Sequence, residues 1–341
     1  MPAEEIKVVV VAMFEPVPGR QGELTRFREG LRLRPWNLPG AQSGEAWRND
    51  DGVTALVAGV GPVKTATSLL TFALLAGVDF RRTYWLISGI AGGNPSACSL
   101  GSPLWAEWVV DGDAAYDFHP ADHPPEWETG ILPLGALQPF GPMACDPALF
   151  GNHDQVFHLD GPLAAWAFEL TRSLTLLDPP GLAAARAPYA RFGLGGLPPA
   201  VGRGDVLSAA RFWHGAGHHA WAEKWIPHWT GGRGRYATAS MEDIGTLGAL
   251  AQLGRLDRAE PRRILLLRSV SNYTLPPPGR PAHLNLAGDA DHDPEAIFSG
   301  LEASLENGWR AGHAVIRALL EDWPRWRENL PGETPPAAPP A

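Results

Sequence analysis

Residues 6–13, with the sequence IKVVVVAM, decide the fold class. Four consecutive valines with no polar residue between them are typical of a strand that is covered on both faces. Comparable apolar runs occur at 53–60, 83–88, 104–111 and 264–271. Segments with helical periodicity alternate with these runs. The alternation predicts an α/β fold with helices on both faces of a central sheet.

The composition excludes several classes of protein. The chain has 341 residues, 45% of them hydrophobic, and a net charge of −9. A net negative charge argues against non-specific binding of nucleic acid, which needs clustered Lys and Arg. The length is compatible with one domain over 1–330. We expect a variable insertion at about 115–200, rich in Pro, Trp and Gly, and a disordered Pro-rich tail at 331–341.

Targeting signals are not recognisable in this sequence. A membrane-spanning helix needs about 20 mostly apolar residues, and no stretch qualifies. The first residues, MPAEEIK, lack the basic region of a secretory signal, so a cytoplasmic location is expected. The two cysteines, Cys98 and Cys145, are interpreted as buried thiols, and a disulfide between them stays an alternative.

A glycine-rich segment follows the predicted strand at 83–88. In Gly89-Ile90-Ala91-Gly92-Gly93, small residues allow backbone N–H groups to approach a ligand. The segment lacks both the spacing Gly-x-Gly-x-x-Gly and a Walker lysine, so dinucleotide or triphosphate binding is not predicted. A tight turn without a ligand is the alternative interpretation.

Polar residues also follow two later strands, where ligands of open α/β sheets bind. Met241-Glu242-Asp243 places two carboxylates at a strand-to-helix junction, where one can accept hydrogen bonds from the adjacent hydroxyls of a ribose. Alternatively, these carboxylates only complement the helix dipole. Asn272, beside Ser271, either forms a turn or offers a donor and an acceptor to a purine edge.

Metal ligation is not predicted. Histidines cluster in three places, at 119 and 123, at 153 and 158, and at 214, 218 and 219, without the spacing of a zinc site. The carboxylates at 289, 291 and 293 alternate as in a calcium loop, but the required glycine and closing glutamate are misplaced. We therefore expect neither a metal nor a cofactor.

Six motifs occur in order along the chain. They are VVVVAMFE at 8–15, AGVGPVKT at 58–65, ISGIAGGNP at 87–95, GDVLSAARFWHG at 204–215, MEDIGTL at 241–247 and RSVSNYT at 268–274. Together they resemble the purine nucleoside permease family, a branch of the nucleoside phosphorylase and nucleosidase superfamily. The resemblance covers most of 6–325 and is weakest at about 115–200. It implies a three-layer αβα sandwich with a central twisted mixed β-sheet, as in nucleoside phosphorylases.

The resemblance implies roles for individual residues. Glu242 would bind the ribose 2′- and 3′-hydroxyls, with Met241 under the sugar, and Phe212 would stack on the base, helped by Trp213. Asn272 would recognise the base. An amide does not protonate a purine as an aspartic acid can, so inosine or guanosine is favoured over adenosine. The remaining predicted substrate-binding residues are Gly89, Ile90, Gly92 and Ser271.

The nucleophile would distinguish hydrolysis from phosphorolysis. Phosphate-dependent relatives have an arginine and a serine where this chain has Ile87 and Ile90, so two phosphate contacts are missing. Nucleosidases use a glutamate near the first strand to activate water. Glu23 is the preferred base here and Glu15 the second candidate, although Glu23 could merely complement a helix dipole. Arg20 keeps phosphate binding open.

The implied function is hydrolysis of the N-glycosidic bond of purine nucleosides, in nucleoside salvage or uptake. A phosphate-dependent phosphorylase and a non-catalytic nucleoside-binding protein that assists transport are the alternatives. The family name implies transport, but a path through a bilayer requires spanning helices or a closed barrel, so a role in transport would be indirect. Self-association into a homo-oligomer is expected by analogy with the superfamily.

Overall fold

The computed structural model describes residues 5–15, 21–38, 46–146, 149, 154–287 and 298–333. Strand β1 (Val8–Ala12) lies within a 12-stranded sheet. Val9 and Val11 pack into the core on one face, whereas Val8 and Val10 pack into the core on the other. Successive side chains of a strand point to opposite faces, so an unbroken valine run is what a doubly covered strand requires.

The sheet is mixed, with parallel strands around β1. Its order is β10-β7-β12-β13-β5-β1-β4-β3-β2, and β14 pairs with β5 and with β6, which also pairs with β11. Strands β4, β1, β5 and β14 are mutually parallel, whereas β13 pairs with β5 in the antiparallel direction. The further strands of the sheet are β2 (Arg34–Trp36), β3 (Ala46–Arg48), β4 (Val53–Val57), β5 (Tyr84–Gly93), β6 (Pro103–Ala106), β7 (Trp108–Asp111), β10 (Val156–His158), β11 (Gly202–Arg203), β12 (Asp205–Ser208), β13 (Tyr236–Ser240) and β14 (Ile264–Tyr273). A separate hairpin consists of β8 (Ala115–Asp117) and β9 (Ile131–Pro133).

Helices cover both faces of the sheet. They are α1 (Thr25–Gly30), α2 (Pro62–Leu75), α3 (Gly161–Thr171), α4 (Pro180–Arg186), α5 (Ala216–Thr230), α6 (Asp243–Arg255), α7 (Ala282–Ala287), α8 (Leu301–Glu321) and α9 (Trp323–Trp326). Helices α2 and α6 contribute Phe72 and Leu250 to one core, and α3 and α8 contribute Leu163 and Val315 to the other. The predicted three-layer αβα sandwich with a mixed central sheet is confirmed. No helix in the described ranges is long and apolar enough to cross a bilayer.

The glycine-rich segment is not the loop that its sequence suggests. Strand β5 continues through Gly93, because this segment pairs with β14 on one side and with β13 on the other. A Cβ atom on Gly93 would lie 2.6 Å from Val270 Cγ1 and 2.8 Å from Cys98 Sγ. The glycine therefore permits close packing of strands, which a sequence pattern does not distinguish from a turn.

The apolar run at 104–111 forms two strands rather than one. Strand β6 pairs with β14, whereas β7 pairs with β12, so the chain changes neighbours at Glu107. Strand β10, which lies within 115–200, extends the sheet by pairing with β7. Helix α1 begins at Thr25, after Glu23, and α8 is one continuous helix. Residues 334–341 of the predicted tail lie outside the described residues.

Candidate active site

A cavity of about 190 Å³ lies where β1, β5, β13 and β14 end. The predicted residues that line it are Glu23, Ile90, Gly92, Phe212, Trp213, Met241, Glu242, Ser271 and Asn272. Further lining residues include Phe14, Val60, Arg211 and Phe298. The cavity thus combines buried carboxylates with aromatic side chains, which suits a ligand that has both hydroxyl groups and a flat ring.

Glu23 is a buried carboxylate held by two backbone N–H groups. Met13 donates to Oε2 at 2.6 Å, and Ile90 donates to Oε1 at 2.7 Å. Burial raises the pKa of Glu23 to about 7; the nearby charge of Arg268 opposes this change and that of Glu242 adds to it. A carboxyl group with this pKa exchanges a proton near neutral pH, as a general base must. Because Glu23 precedes α1, it is not a residue of that helix's first turn.

Arg268 is the central charged residue of the site, and the sequence analysis did not assign it a role. It is fully buried in β14, and it donates from Nε to Asp243 Oδ2 at 3.0 Å and from Nη1 to the carbonyl of Ile90 at 3.1 Å. Its Nη2 also donates to Asp243 and to Glu242. Burial disfavours its charge, but Asp243 and Glu242 raise the pKa of Arg268. The signal in the sequence was a single cation within the apolar run ILLLRSVS.

Glu242 and Asp243 have different environments although they are adjacent. Asp243 is completely buried and accepts hydrogen bonds from Ser240 Oγ at 2.6 Å and from Arg268. Glu242 lines the cavity, and its Oε2 accepts from the backbone N–H of Met241 and from Arg268, both at 3.2 Å. Burial raises the pKa of Glu242, against the effect of Arg268. Asp243 thus holds Arg268, and Glu242 faces the ligand space.

Asn272 lies inside strand β14 and faces the same cavity, so the turn interpretation was wrong. Its Oδ1 accepts from Ser271 Oγ at 2.9 Å, and its Nδ2 donates to the carbonyl of Tyr273 at 3.3 Å. This N–H···O distance is longer than the usual range of about 2.7–3.2 Å, so the hydrogen bond to Tyr273 is weak. The hydrogen bond from Ser271 orients the Asn272 amide. Because Nδ2 has only the weak hydrogen bond to Tyr273, this nitrogen can also donate to a ligand.

Aromatic side chains form the more exposed part of the cavity. Phe212 is 41% exposed, and its ring lies 6.1 Å from that of Phe298 in an edge-to-face arrangement. Trp213 is buried, since its Nε1 donates to the carbonyl of His218 and its ring packs 4.9 Å from Trp221. Phe212 is thus the more open of the two aromatic side chains, whereas Trp213 is part of a hydrophobic core cluster.

Two of the predicted glycines differ in their positions. Gly92 lines the cavity, but Gly89 does not lie among its described lining residues. A Cβ atom on Gly89 would be 2.5 Å from Arg268 Nη1 and 2.7 Å from Glu23 Oε1. Gly89 therefore makes room for these two charged groups, and it is not placed to contact a ligand.

Glu15, the second candidate base, is not brought to the cavity. Thr25 Oγ1 donates to it at 3.0 Å, and Arg28 lies 3.7 Å from its other oxygen. Ile87 is fully buried in the core, and Arg20 lies outside the described residues. In the described ranges, no group of three or more His, Cys, Asp or Glu side chains is arranged to hold a metal ion.

Comparisons with known proteins agree with this architecture. A family described as purine nucleoside permease (NUP) matches residues 5–331. A purine nucleoside permease of Candida albicans (strain SC5314) is 26% identical over 283 residues, which is 81% of this chain. The chain spans 66% of that relative's length, slightly less than two thirds.

Solved structures of low sequence identity share the fold. A 5′-methylthioadenosine/S-adenosylhomocysteine nucleosidase from Helicobacter pylori has a TM-score of 0.52 and 16% identity, over 93% of this chain and 99% of that one. The futalosine hydrolase of Helicobacter pylori gives the same TM-score, identity and coverage of both chains. Taken with the match over residues 5–331, the chain belongs to the purine nucleoside permease family and has a nucleoside phosphorylase-like fold.

Proposed function

We propose that the chain is a purine nucleosidase-like hydrolase, which cleaves the N-glycosidic bond of purine nucleosides with water as the nucleophile. The observation that carries this proposal is the shared cavity of Glu23 and Glu242, in which burial raises the pKa of Glu23 to about 7. One carboxylate is available to accept a proton and the other to hold a sugar. Asn272 lines the same cavity and supplies an amide for the base.

The sugar is bound through the carboxylate of Glu242. Its Oε2 accepts hydrogen bonds from Met241 and Arg268, and the backbone of Gly61 also donates to this carboxylate. From the cavity side, Glu242 accepts hydrogen bonds from the ribose 2′- and 3′-hydroxyls. The buried Arg268 keeps this oxygen pair oriented. Met241, which also lines the cavity, packs against the sugar.

Bond cleavage requires proton transfer at one end and stabilisation of the leaving group at the other. Glu23 accepts a proton from water as the water oxygen bonds to C1′, and the electron pair of the broken C1′–N bond passes to the purine. Asn272 stabilises the developing charge by donating from Nδ2, and the base then takes a proton from solvent. Each group acts more strongly in the transition state than before it.

The available cations favour water over phosphate. Arg268 is fully engaged by Asp243, Glu242 and the Ile90 carbonyl. Arg211, the only cation among the described lining residues, is bound to Asp113 and Asp117. A phosphate ion needs donors that are not already neutralised by carboxylates, so phosphorolysis is the weaker candidate.

The family description supports a second candidate, a nucleoside-binding protein that assists transport without catalysis. The same cavity would serve this function, with Glu242 and Asn272 as ligands. A cytoplasmic location and a homo-oligomeric state stay predictions from the sequence.

The decisive experiment incubates the chain with inosine in phosphate-free buffer and again with phosphate. Release of free ribose and hypoxanthine at equal rates in both buffers supports hydrolysis. Formation of ribose 1-phosphate, only when phosphate is present, would establish phosphorolysis instead. Binding of inosine without any product would favour the transport-assisting protein.

A further inference from the structure

Arg211 lies at the cavity beside Phe212 and has no role in the proposed reaction. Its side chain is 45% exposed, and its guanidinium lies 5.2 Å from the centre of the Trp213 ring. A guanidinium is planar and presents its N–H donors in one plane. It is therefore a flat donor group next to the aromatic side chain proposed to stack on the base.

The contacts that hold Arg211 are long. Nε donates to Asp113 at 3.3 Å, Nη1 donates to Asp117 at 3.3 Å, and Nη2 donates to the carbonyl of Gly112 at 3.4 Å. By contrast, Arg268 Nε donates to Asp243 at 3.0 Å and is completely buried. Arg211 thus has a defined position but retains donors that a ligand can share.

The charge around Arg211 selects against anions. Asp113 and Asp117 bring two negative charges to one guanidinium, and Glu23 and Glu242 lie on the same cavity. A phosphate group would meet excess negative charge there. A neutral ligand that offers hydrogen-bond acceptors would not be repelled by this negative charge.

A 6-oxopurine offers such acceptors, because its O6 and N7 lie side by side, whereas an adenine has an amino donor at C6. We propose that Arg211 donates a hydrogen bond to O6 of a bound purine base, and so selects 6-oxopurine nucleosides over 6-aminopurine nucleosides. The inference rests on the proposed nucleoside site, in which Asn272 Nδ2 is the donor toward N7. With adenosine, the 6-amino group would place a hydrogen-bond donor against the N–H donors of Arg211, which is unfavourable.

The test compares the affinities of inosine, adenosine and purine riboside, which has only hydrogen at C6. Binding is followed by stopped-flow tryptophan fluorescence, before turnover. The wild-type chain should bind inosine about 10-fold to 100-fold more tightly than the other two, the range that one good base contact supplies. Arg211→Met should remove most of this preference by weakening inosine binding, with the affinity for purine riboside unchanged.

Arg191→Met is the matched control, because Arg191 also stacks on a neighbouring aromatic ring, that of Phe192, but does not line the cavity. It should keep the full preference for inosine. Equal losses for inosine and adenosine in Arg211→Met would overturn the proposal, and so would an unchanged preference. If Arg211→Met does not fold, equal binding of inosine and purine riboside by the wild-type chain would still overturn it.

The readout separates this inference from the proposed hydrolysis. A chain that prefers inosine through Arg211 but releases no ribose supports the inference and contradicts the hydrolytic function. A chain that hydrolyses inosine and adenosine with equal affinity contradicts only the inference. A chain that binds none of the three nucleosides contradicts both.

Discussion

Glu23 combines two features that a general base needs. Two backbone N–H groups fix its oxygens, and burial raises its pKa to about 7, so that its ionised form accepts a proton more readily. An exposed glutamate, with a pKa of about 4.3, would be a weaker base. The environment of this side chain, more than its chemical type, suits it to accept a proton from water.

Replacing Glu23 by Gln should reduce the rate of inosine hydrolysis by about 10²-fold to 10⁴-fold, the usual contribution of a general base. The amide is similar in size but does not accept the proton. Inosine affinity should change little, since Glu242 and Asn272 remain. Turnover and binding are measured on the same preparation.

Glu15→Gln is the control for this experiment. Glu15 is a carboxylate near the same strand end but does not line the cavity, so its variant should retain most of the activity. Full activity in Glu23→Gln, with a large loss in Glu15→Gln, would reverse the assignment.

The pH dependence of the reaction follows from the same group. Glu23 must be ionised to accept a proton, so kcat/KM for inosine should rise with pH and level off above a pKa of about 7. The value of kcat/KM is measured from about pH 5 to pH 9, and its pH dependence reports the pKa in the free enzyme. A flat profile over this range would show that no group with such a pKa limits the reaction.

At the level of the structural elements, the pairing of β5 with β14 places Arg268 beside Gly89, and Glu23 accepts a hydrogen bond from the next residue, Ile90. Gly89→Ala should reduce activity by at least about 10-fold, because its Cβ would lie within 2.7 Å of both charged groups. The loss should appear in kcat and in the melting temperature. Activity is measured at saturating inosine.

Gly248→Ala, within α6, is the matched control. A Cβ atom there meets no heavy atom within 4 Å, so the substitution should keep activity and stabilise the helix by up to about 1 kcal/mol. Wild-type activity and stability in Gly89→Ala would mean that the two charged groups tolerate a displacement.

At the scale of the whole molecule, ligand binding should stabilise the folded chain. Inosine at about 100 times its dissociation constant should add about 2.7 kcal/mol to the free energy of unfolding. Thermal unfolding with and without inosine measures this effect. Glu242→Gln should lose most of the stabilisation, because the ribose hydroxyls lose a carboxylate partner.

Glu321→Gln provides the comparison, since Glu321 is exposed and pairs only with Arg317 among the interactions described for it. Its variant should respond to inosine as the wild-type chain does. An equal response in Glu242→Gln would contradict the assignment of the ribose site.

The sequence alone determined the fold class, the family and most of the cavity residues. Valine runs report burial on two faces, and the motifs at strand ends placed Glu242, Asn272 and Phe212 in one region. The fold class depends on local periodicity, and Glu242 and Asn272 follow from the rule that ligands bind where parallel strands end. The family and the place of Phe212 were implied by the resemblance of the six motifs to a known family.

Only the tertiary structure decided how the charges are partnered. Arg268 bridges to Asp243 and Glu242, which are 25 and 26 positions away, and Glu23 reaches the amide of Ile90 across 67 positions. The same packing left Glu15 outside the cavity and made Gly89 a spacer between two charged groups. Burial and opposite charges set a pKa, and both arise from contacts that local sequence does not encode.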